Sequence, residues 1–475
     1  MKKTKIVATL GPETAKPESI ARLIECGLNI VRLNGSHNTL DWHIETIRTV
    51  RKVSPLIPIL VDLPGRKIRT AAFENNFTFK VGDTLVLTSD LDYKGKDKAL
   101  INYANFHNDL KVGNSILADD GTLKFIVKKI EGKDLFCEAQ VAGILKQCKG
   151  INVPYVKVNT PLISERDIRI IEMCKKENVD FVGVSFVESG DHVDEVYKHL
   201  KGSNVEVIAK IENQFGVDNL DTIVQKSFGI LIDRGDLSAE TKVENISLQQ
   251  KRILREANRF GKPVIVATEM LHTMIENPLP TKAEVNDITN AILDGGSATM
   301  LSGESAIGKF PFEAVETMKK IAIEVESYQG HADGLNLDIT TKDTPNIIGK
   351  CISEVSKNLP ITKIICFTNS GFAARMISRY RLNQEIIAIT DSVDKARKFN
   401  LYWGVTPYCS KQVEFRPEKS EHITQGLKEL YENKIITKYD TIVVTAVRFP
   451  SKEAHTLMNY FEIHKIEELS QALNW

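Results

Sequence analysis

Lys210 and Glu212 stand two residues apart at the end of one short apolar run, and Asp236 follows the next such run, after Asp233, Arg234 and Gly235. On a strand, a spacing of two points both side chains to the same side of the sheet. Glu212 and Asp236 would then be supplied by neighbouring strands. Two carboxylates placed this way, with room left for water and substrate oxygens, suit Mg2+ or Mn2+, which take one or two protein carboxylates plus phosphate oxygens. Arg32, Arg69 and Lys210 put positive charge beside the two acids. A lone strand-end Glu is more often an ion-pair partner than a ligand; the combination is what an anionic, phosphorylated, metal-bridged substrate needs. Other polar groups close further runs: Asn34, Ser36 and His37 after Arg32, then Asp62, Thr268 with Glu269, and Ser302 with Glu304. Gly261-Lys262-Pro263 reads as a helix stop, His43 as a helix-face residue and Cys26 as core.

These side chains need a scaffold that gathers strand ends. Eight apolar or β-branched runs supply it: Lys5 to Leu10, Asn29 to Leu33, Ile57 to Leu63, Phe181 to Phe186, Val205 to Ile211, Gly229 to Ile232, Val264 to Ala267 and Ala298 to Leu301. Amphipathic segments lie between most of them, with start and stop signals such as Pro17 to Cys26 before Gly27, Ser164 with Asp167 opening Asp167 to Glu177, and Ser247 to Arg259 before Gly261. Alternating β and α units imply a parallel sheet, and eight of them imply a (β/α)8 TIM barrel, whose chemistry gathers at the carboxyl ends of the strands.

The third connection is too long for a loop. Between Pro64 and about Pro154 come only strand-like runs, Phe77 to Asp83, Thr84 to Thr88, Ser115 to Leu117, Phe125 to Ile130 and Leu135 to Val141, with Gly and Asp-Gly turns. This predicts an inserted, β-barrel-like lid domain. After a polar linker, Gln329 to Gly334, alternation resumes with helices at Ile347 to Leu359 and Phe372 to Arg381 and strands at Ile361 to Phe367, Glu385 to Ile389 and Thr441 to Val447, an open α/β domain. The expected division is barrel at 1–64 and 155–328, lid at 65–154, and C-terminal domain at 340–475.

The whole chain, 475 residues with 62 basic and 62 acidic side chains, has no net field to attract nucleic acid or an anionic membrane, so any anion is held by local groups. Its seven cysteines are scattered without a C-x-x-C pair, which predicts neither a zinc site nor a disulfide framework. The apolar run after the basic start stops at Gly11-Pro12, too short for a secretory signal. A cytoplasmic protein is expected.

In order, Thr4-Lys5-Ile6-Val7-Ala8-Thr9-Leu10-Gly11-Pro12, Arg32-Leu33-Asn34-Gly35-Ser36-His37, Asp62-Leu63-Pro64-Gly65-Arg66-Lys67-Ile68-Arg69-Thr70, Lys210-Ile211-Glu212-Asn213, Arg234-Gly235-Asp236-Leu237, Ala267-Thr268-Glu269-Met270-Leu271, Pro280-Thr281-Lys282-Ala283-Glu284 and Met300-Leu301-Ser302-Gly303-Glu304 resemble the signature segments of the pyruvate kinase family. Asp119-Asp120-Gly121 and Lys149-Gly150-Ile151-Asn152 extend the likeness through the insertion, and Thr368-x-Ser370-Gly371 with Arg379-Tyr380-Arg381 carries it more loosely into the third domain.

The resemblance implies phosphoryl transfer from phosphoenolpyruvate to ADP, giving ATP and pyruvate. It implies that Arg32, Arg69 and Lys210 stabilise the transferred group and that Glu212 and Asp236 hold Mg2+ or Mn2+. Thr268, with Ser302, would relay the proton, and the amides around Arg234, Gly235 and Asp236 would receive the substrate carboxylate. Asn34, His37, Arg69, Asp120 and Lys149 would face the nucleotide. Members that need K+ hold it with positions equivalent to Asn34, Ser36, Asp62 and the residue after Asp62, and carry a Glu where Lys67 stands, so K+ is expected not to be required. Leu63 replaces a family Thr at that site. A homotetramer is also implied. The chain departs from the family at Asp233, Glu269, His272, Ile307 and Gly35, none of which removes a catalytic group. The alternatives are a catalytically divergent metabolite sensor of the same family and a metal-dependent pyruvate-enolate enzyme of the aldolase or mutase class.

Overall fold

A computed structural model describes residues 2–73, 76–119, 121–329, 344–413, 421–448, 458–473 and 475. Asp120 and residues 330–334 of the expected linker lie outside the described residues.

Eight parallel strands close into a barrel: β1 (Lys5–Thr9), β2 (Ile30–Asn34), β3 (Ile59–Leu63), β4 (Phe181–Val184), β5 (Glu206–Ile211), β6 (Gly229–Asp233), β7 (Val264–Ala267) and β8 (Ala298–Leu301), each paired with its neighbours in chain order and β8 with β1. Side chains alternate as strand geometry requires. Val207, Ala209 and Ile211 of β5 pack outward into the helix-facing core, while Ile208 joins Val7, Ile30, Leu60 and Leu231 inside the barrel. One step further along the same inward rows stand Thr9, Arg32, Asp62, Lys210 and Asp233. The barrel is therefore apolar at the amino ends of its strands and charged at the carboxyl ends.

The outer helices obey their capping signals. Helix Pro17–Cys26 has Pro in its first turn and stops at Gly27, whose φ of +121° suits glycine and whose amide caps Leu23 and Ile24. Ser164 and Asp167 form a reciprocal capping box at helix Glu165–Lys176, as do Thr281 and Glu284 at helix Lys282–Leu293.

The long insertion forms a six-stranded sheet, ordered Ile151–Asn152, Ser115–Ala118, Leu123–Glu131, Asp134–Ala139, Thr84–Thr88 and Ala99–Leu100, and a two-stranded pair of Gly143–Leu145 with Phe77–Phe79. Both sheets share one core that includes Phe79, Phe106, Phe125 and Leu145. The C-terminal region carries a five-stranded sheet ordered Val405–Cys409, Glu385–Thr390, Lys363–Phe367, Thr441–Arg448 and Met458–Lys465, with only the last strand antiparallel. Its two outer strands escaped the sequence reading. Val405–Cys409 contains Pro407, tolerated because the strand is an edge, and Met458–Lys465 is a polar-rich edge.

This third region seals the amino end of the barrel. Leu401 completes the barrel's interior cluster, and Trp403 Nε1 donates to Thr4 Oγ1 at 3.1 Å. Beneath β3 and β4, Asp180 accepts from Arg397 Nε at 2.6 Å, from Arg51 Nη2 at 2.6 Å and from the Ile59 amide at 2.8 Å. Among the described residues, no helix is long and apolar enough to cross a membrane.

Candidate functional site

At the carboxyl ends of β2, β3, β5 and β6 the inward rows converge. Lys210 Nζ lies 2.7 Å from Glu212 Oε1, 3.4 Å from Asp62 Oδ2 and 3.4 Å from Asp233 Oδ2, and donates to Ser185 Oγ at 3.1 Å. Arg32 grips Asp62 Oδ2 through Nε at 3.1 Å and Nη2 at 2.7 Å, and donates to Thr9 Oγ1 at 2.9 Å. Burial would lower the Lys210 ammonium, but Glu212, Asp62 and Asp233 outweigh it and hold its pKa above the ordinary lysine value. The ammonium stays charged.

Backbone details make this packing possible. Asp62 pairs with Gly183 across β3 and β4, and a Cβ at Gly183 would come within 2.2 Å of Asp62 Oδ1; only glycine leaves room for that carboxylate. Phe186, at φ +53°, aims its amide at Glu212 Oε2 over 2.6 Å. Thr268 and Glu269 follow β7 with φ of +67° and +55°, a strained pair of the kind that collects at working sites. The Thr268 hydroxyl donates to the Ala267 carbonyl at 2.6 Å and accepts the Gly235 amide at 2.9 Å.

Glu212, Asp233 and Asp236 bring carboxylate oxygens within 4.8 Å of one another. Burial pushes Glu212 up, with Lys210 pulling the other way, and burial together with Asp233 pushes Asp236 up. Burial also works against Asp233, yet Lys210, Arg32 and Lys67 outweigh it and keep its pKa below the usual carboxylate value. Three buried acids this close, in a cleft that also leaves Asp62 Oδ1 without a hydrogen-bond partner, fit a hard divalent cation. Glu212 and Asp236 were legible in the sequence as such a pair. Asp233 was read as a charge beside the carboxylate pocket; it sits inside the acid cluster, and although it precedes helix Arg234–Glu240 its side chain makes no cap to that helix.

The remaining candidates are distributed around this centre. Lys67 Nζ reaches Asp236 Oδ1 at 2.5 Å. Arg234 turns away from the cluster, with its Nη1 on Asp287 at 2.6 Å and its Nη2 on the Thr268 carbonyl at 2.6 Å, so the side chain positions the β7 turn. The Gly235 amide, expected to receive a carboxylate, is engaged by Thr268. The Ser302 amide donates to Glu304 at 2.8 Å, and the other Glu304 oxygen accepts the Leu271 amide at 3.1 Å, tying the β7 and β8 ends together. Asn34 Oδ1 accepts the Ser36 amide at 3.1 Å. His37 is exposed, and burial with the charges of Arg69, Arg32 and Arg166 keeps its imidazole below the usual histidine pKa. Arg69 donates to the Cys148 carbonyl at 3.2 Å, and Lys149 pairs with Asp119 at 2.7 Å, both on the inserted domain. Leu63 faces the helix-side core, and Glu269, His272 and Ile307 are exposed. The sequence reading missed Thr9, Ser185 and Phe186, although the inward parity of β1 and β4 marks the first two.

Residues 1–315 match the family described as pyruvate kinase, barrel domain, and residues 346–464 match pyruvate kinase, alpha/beta domain. A protein named pyruvate kinase from Staphylococcus aureus strain MRSA252 is 38% identical over 477 residues, covering 98% of this chain and 81% of that one. The pyruvate kinase of the bovine strain RF122 / ET3-1 is similar to the same extent. Among solved structures, a pyruvate kinase from Cryptosporidium parvum superposes with a TM-score of 0.88 at 31% identity, covering 98% of this chain and 96% of that one.

Proposed function

As the chain belongs to the pyruvate kinase family, we propose that its acid-and-lysine cluster transfers the phosphoryl group of phosphoenolpyruvate to ADP, giving pyruvate and ATP. The observation that carries this is the buried Lys210 ammonium, fixed among Asp62, Glu212 and Asp233 at the mouth of the barrel. The bond from phosphorus to the enol oxygen breaks as a terminal ADP oxygen takes the phosphoryl group, and the enolate left behind gains a proton at its methylene carbon. Such a transfer passes through a loose transition state with charge spread over its oxygens, so positioning and electrostatics do most of the work.

Arg32 and Lys210 neutralise the transferring group, and Lys210 also holds the enolate oxygen. Arg69 joins them from the inserted domain, which acts as a lid over the barrel mouth. Glu212 and Asp236, with Asp233 beside them, would hold Mg2+ or Mn2+; when bound, that ion supplies positive charge to bridge phosphoryl and enol oxygens. Thr268, with Ser302 on the adjoining strand end, delivers the proton. The Arg234–Asp236 turn takes the substrate carboxylate once the Gly235 amide exchanges its bond to Thr268. Asn34, His37, Asp120 and Lys149 face the nucleotide.

Lys67 replaces a monovalent cofactor. Its ammonium already occupies the acid cluster beside Asp236, so K+ is not required. The protein is a cytoplasmic homotetramer, a state that sedimentation equilibrium tests directly. A coupled assay with phosphoenolpyruvate, ADP and Mg2+ tests the activity. Robust turnover that falls by about 10²–10³ in Lys210→Met is expected, the scale for losing one preorganised charge-stabilising donor. Absence of turnover in the unaltered chain, or full turnover in the variant, would overturn the reading.

A further inference from the structure

Far from the acid cluster, at the seam between the amino ends of β7 and β8 and the C-terminal domain, Lys262, Arg375, Arg379 and Arg381 line one cleft together with Trp403. Lys262 follows the Gly261 stop of helix Ile246–Arg259, and the three arginines belong to helix Phe372–Ser378 and the turn after it. The cleft encloses about 210 Å3 including its mouth.

Four cations converge here without an acid. Among the described residues, no carboxylate lies within 4.0 Å of any of them. The acids that act on them do so from a distance and are otherwise engaged: Glu206 by Tyr197 at 2.9 Å and Lys398 at 3.6 Å, Glu326 by the amides of Lys3 at 2.7 Å and Thr4 at 2.6 Å. The hydrogen bonds that the cations make go to neutral groups. Lys262 Nζ donates to the Ser227 carbonyl at 2.6 Å, Arg379 Nη1 to the Arg259 carbonyl at 3.2 Å, and Arg381 Nη2 to Asn258 Oδ1 at 3.1 Å. Left over are buried N–H groups with no acceptor: Nε of Arg375, of Arg379 and of Arg381, and Arg381 Nη1.

A buried donor without an acceptor is costly, and more so when it is charged. Four like charges in one cleft add mutual repulsion; burial, with Arg375 next, lowers Lys262 to about 8, and burial lowers Arg381 to about 9. An arrangement this unfavourable on its own is relieved by a ligand that brings negative charge and several acceptor oxygens at once. Guanidinium groups match the oxygens of a phosphate better than any other side chain does.

We propose that this cleft is an anion site for a tetrahedral oxyanion, inorganic phosphate or the phosphate group of an ester, gripped jointly by the barrel through Lys262 and by the C-terminal domain through Arg375, Arg379 and Arg381. It lies at the opposite end of the barrel from the acid cluster and does not depend on the reaction proposed there. With the side chains as they stand, about one water fits between them. Entry of the oxyanion therefore swings Arg375 outward, a small step because its guanidinium rests over the Phe372 ring at 5.2 Å and makes no hydrogen bond among the described residues. The bound anion then ties the two domains together.

Thermal unfolding of the full chain in potassium phosphate, compared with potassium chloride at equal ionic strength, tests this, with glycerol 2-phosphate as the ester arm. The unaltered chain is expected to gain a saturable few degrees beyond chloride, and whichever arm saturates at lower concentration identifies the preferred source. Arg375→Gln is expected to unfold at a higher temperature than the unaltered chain without phosphate, because a repelling charge is gone. It is also expected to bind phosphate about tenfold more weakly and to keep full turnover. Lys262→Gln is expected to lose the phosphate increment too. No gain over chloride, an equal gain in Arg375→Gln that would place the anion elsewhere, or a lower unfolding temperature of that variant without phosphate would each overturn the proposal.

Discussion

The two ends of the barrel bury charge in opposite ways. Beneath β3 and β4, Asp180 uses both oxygens, one on Arg397 and the other on Arg51 and the Ile59 amide, and Leu401 plugs the interior just beside it. At the mouth, Glu212, Asp233 and Asp236 crowd together, Asp62 keeps a buried oxygen without a partner, and Phe186, Thr268 and Glu269 hold positive φ. One end is completed by the protein itself, and the other is left for something else to complete. Strained, repelling groups persist only where the rest of the structure over-determines them, so the sealed end is what allows the mouth to remain unfinished.

This contrast can be broken most forcefully at the mouth. Glu212→Gln is expected to reduce turnover by at least about 10²-fold, the scale of losing one electrostatic element of a preorganised site, while leaving the thermal midpoint unchanged or higher because one of three crowded acids loses its charge. Parallel turnover and calorimetry measurements check both halves; a variant that loses stability along with activity would erase the distinction. The opposite pattern is expected below. Asp180→Ala strands two buried guanidinium groups and is expected to cost about 3–5 kcal/mol, read as a lower urea midpoint, with the Michaelis constant for phosphoenolpyruvate unchanged.

Sequence made this polarity partly legible. The alternation of Ile208 with Lys210, Leu60 with Asp62 and Ile30 with Arg32 already placed charges one step beyond an apolar layer, and parity put Lys210 and Glu212 on the same side. Closure of eight runs into a barrel followed from their repetition. What the sequence could not convey was partnership across the fold. Asp180 sits in an unremarkable Asn178-Val179-Asp180 turn, and Arg397 lies more than two hundred residues later, so nothing local links them. Gly183 looks like any strand glycine until the Asp62 carboxylate is seen to need its missing Cβ. The cationic cleft was invisible for the same reason: Lys262 read as part of a helix stop and Arg379-Tyr380-Arg381 as a loose family likeness, and only the docking of two domains brings them together.

A smaller effect sharpens what completes the mouth. Lys67 contributes a covalently attached positive charge 2.5 Å from Asp236. At ~4 Å, two like unit charges repel by about 4 kcal/mol at an effective dielectric near 20, so a K+ ion beside this ammonium is disfavoured. Initial rates in tetramethylammonium buffer are expected to change by less than about twofold on adding K+, whereas Lys67→Glu, with the charge reversed, is expected to acquire a K+ requirement. Strong activation of the unaltered chain by K+ would mean that Lys67 does not complete the cluster.

The smallest expected effect concerns how firmly the mouth is covered. Asn152 of the inserted domain donates through Nδ2 to Glu240 Oε1 of the barrel at 2.7 Å, beside a cavity also lined by Arg66, Lys67, Phe186 and Glu188. Burial raises the Glu240 carboxyl to about 7, with the Asn152 bond opposing and the Asp236 charge adding to the rise. An acid whose pKa is raised in the closed contact favours that contact while it is neutral. Below about 4.5 the carboxyl is neutral whether the contact is open or closed, and the contact has its full strength. As pH climbs toward 7 the open form ionises first, and the advantage drains away until both forms are charged. The contact should therefore loosen between pH 5 and pH 8, by at most about tenfold, since one unit of net shift corresponds to tenfold in an equilibrium. Hydrogen exchange of residues 151–153, corrected for the intrinsic pH dependence of amide exchange, reads this directly. Glu240→Gln cannot ionise and keeps an oxygen for Asn152, so its exchange is expected to be flat with pH and slower than that of the unaltered chain at pH 8. Asp180 is paired with two arginines and gives the sealed end no comparable dependence over this range, so amides around Ile59 serve as the internal reference. Equal pH slopes at residues 151–153 and at Ile59 would show that the mouth is no looser than the base.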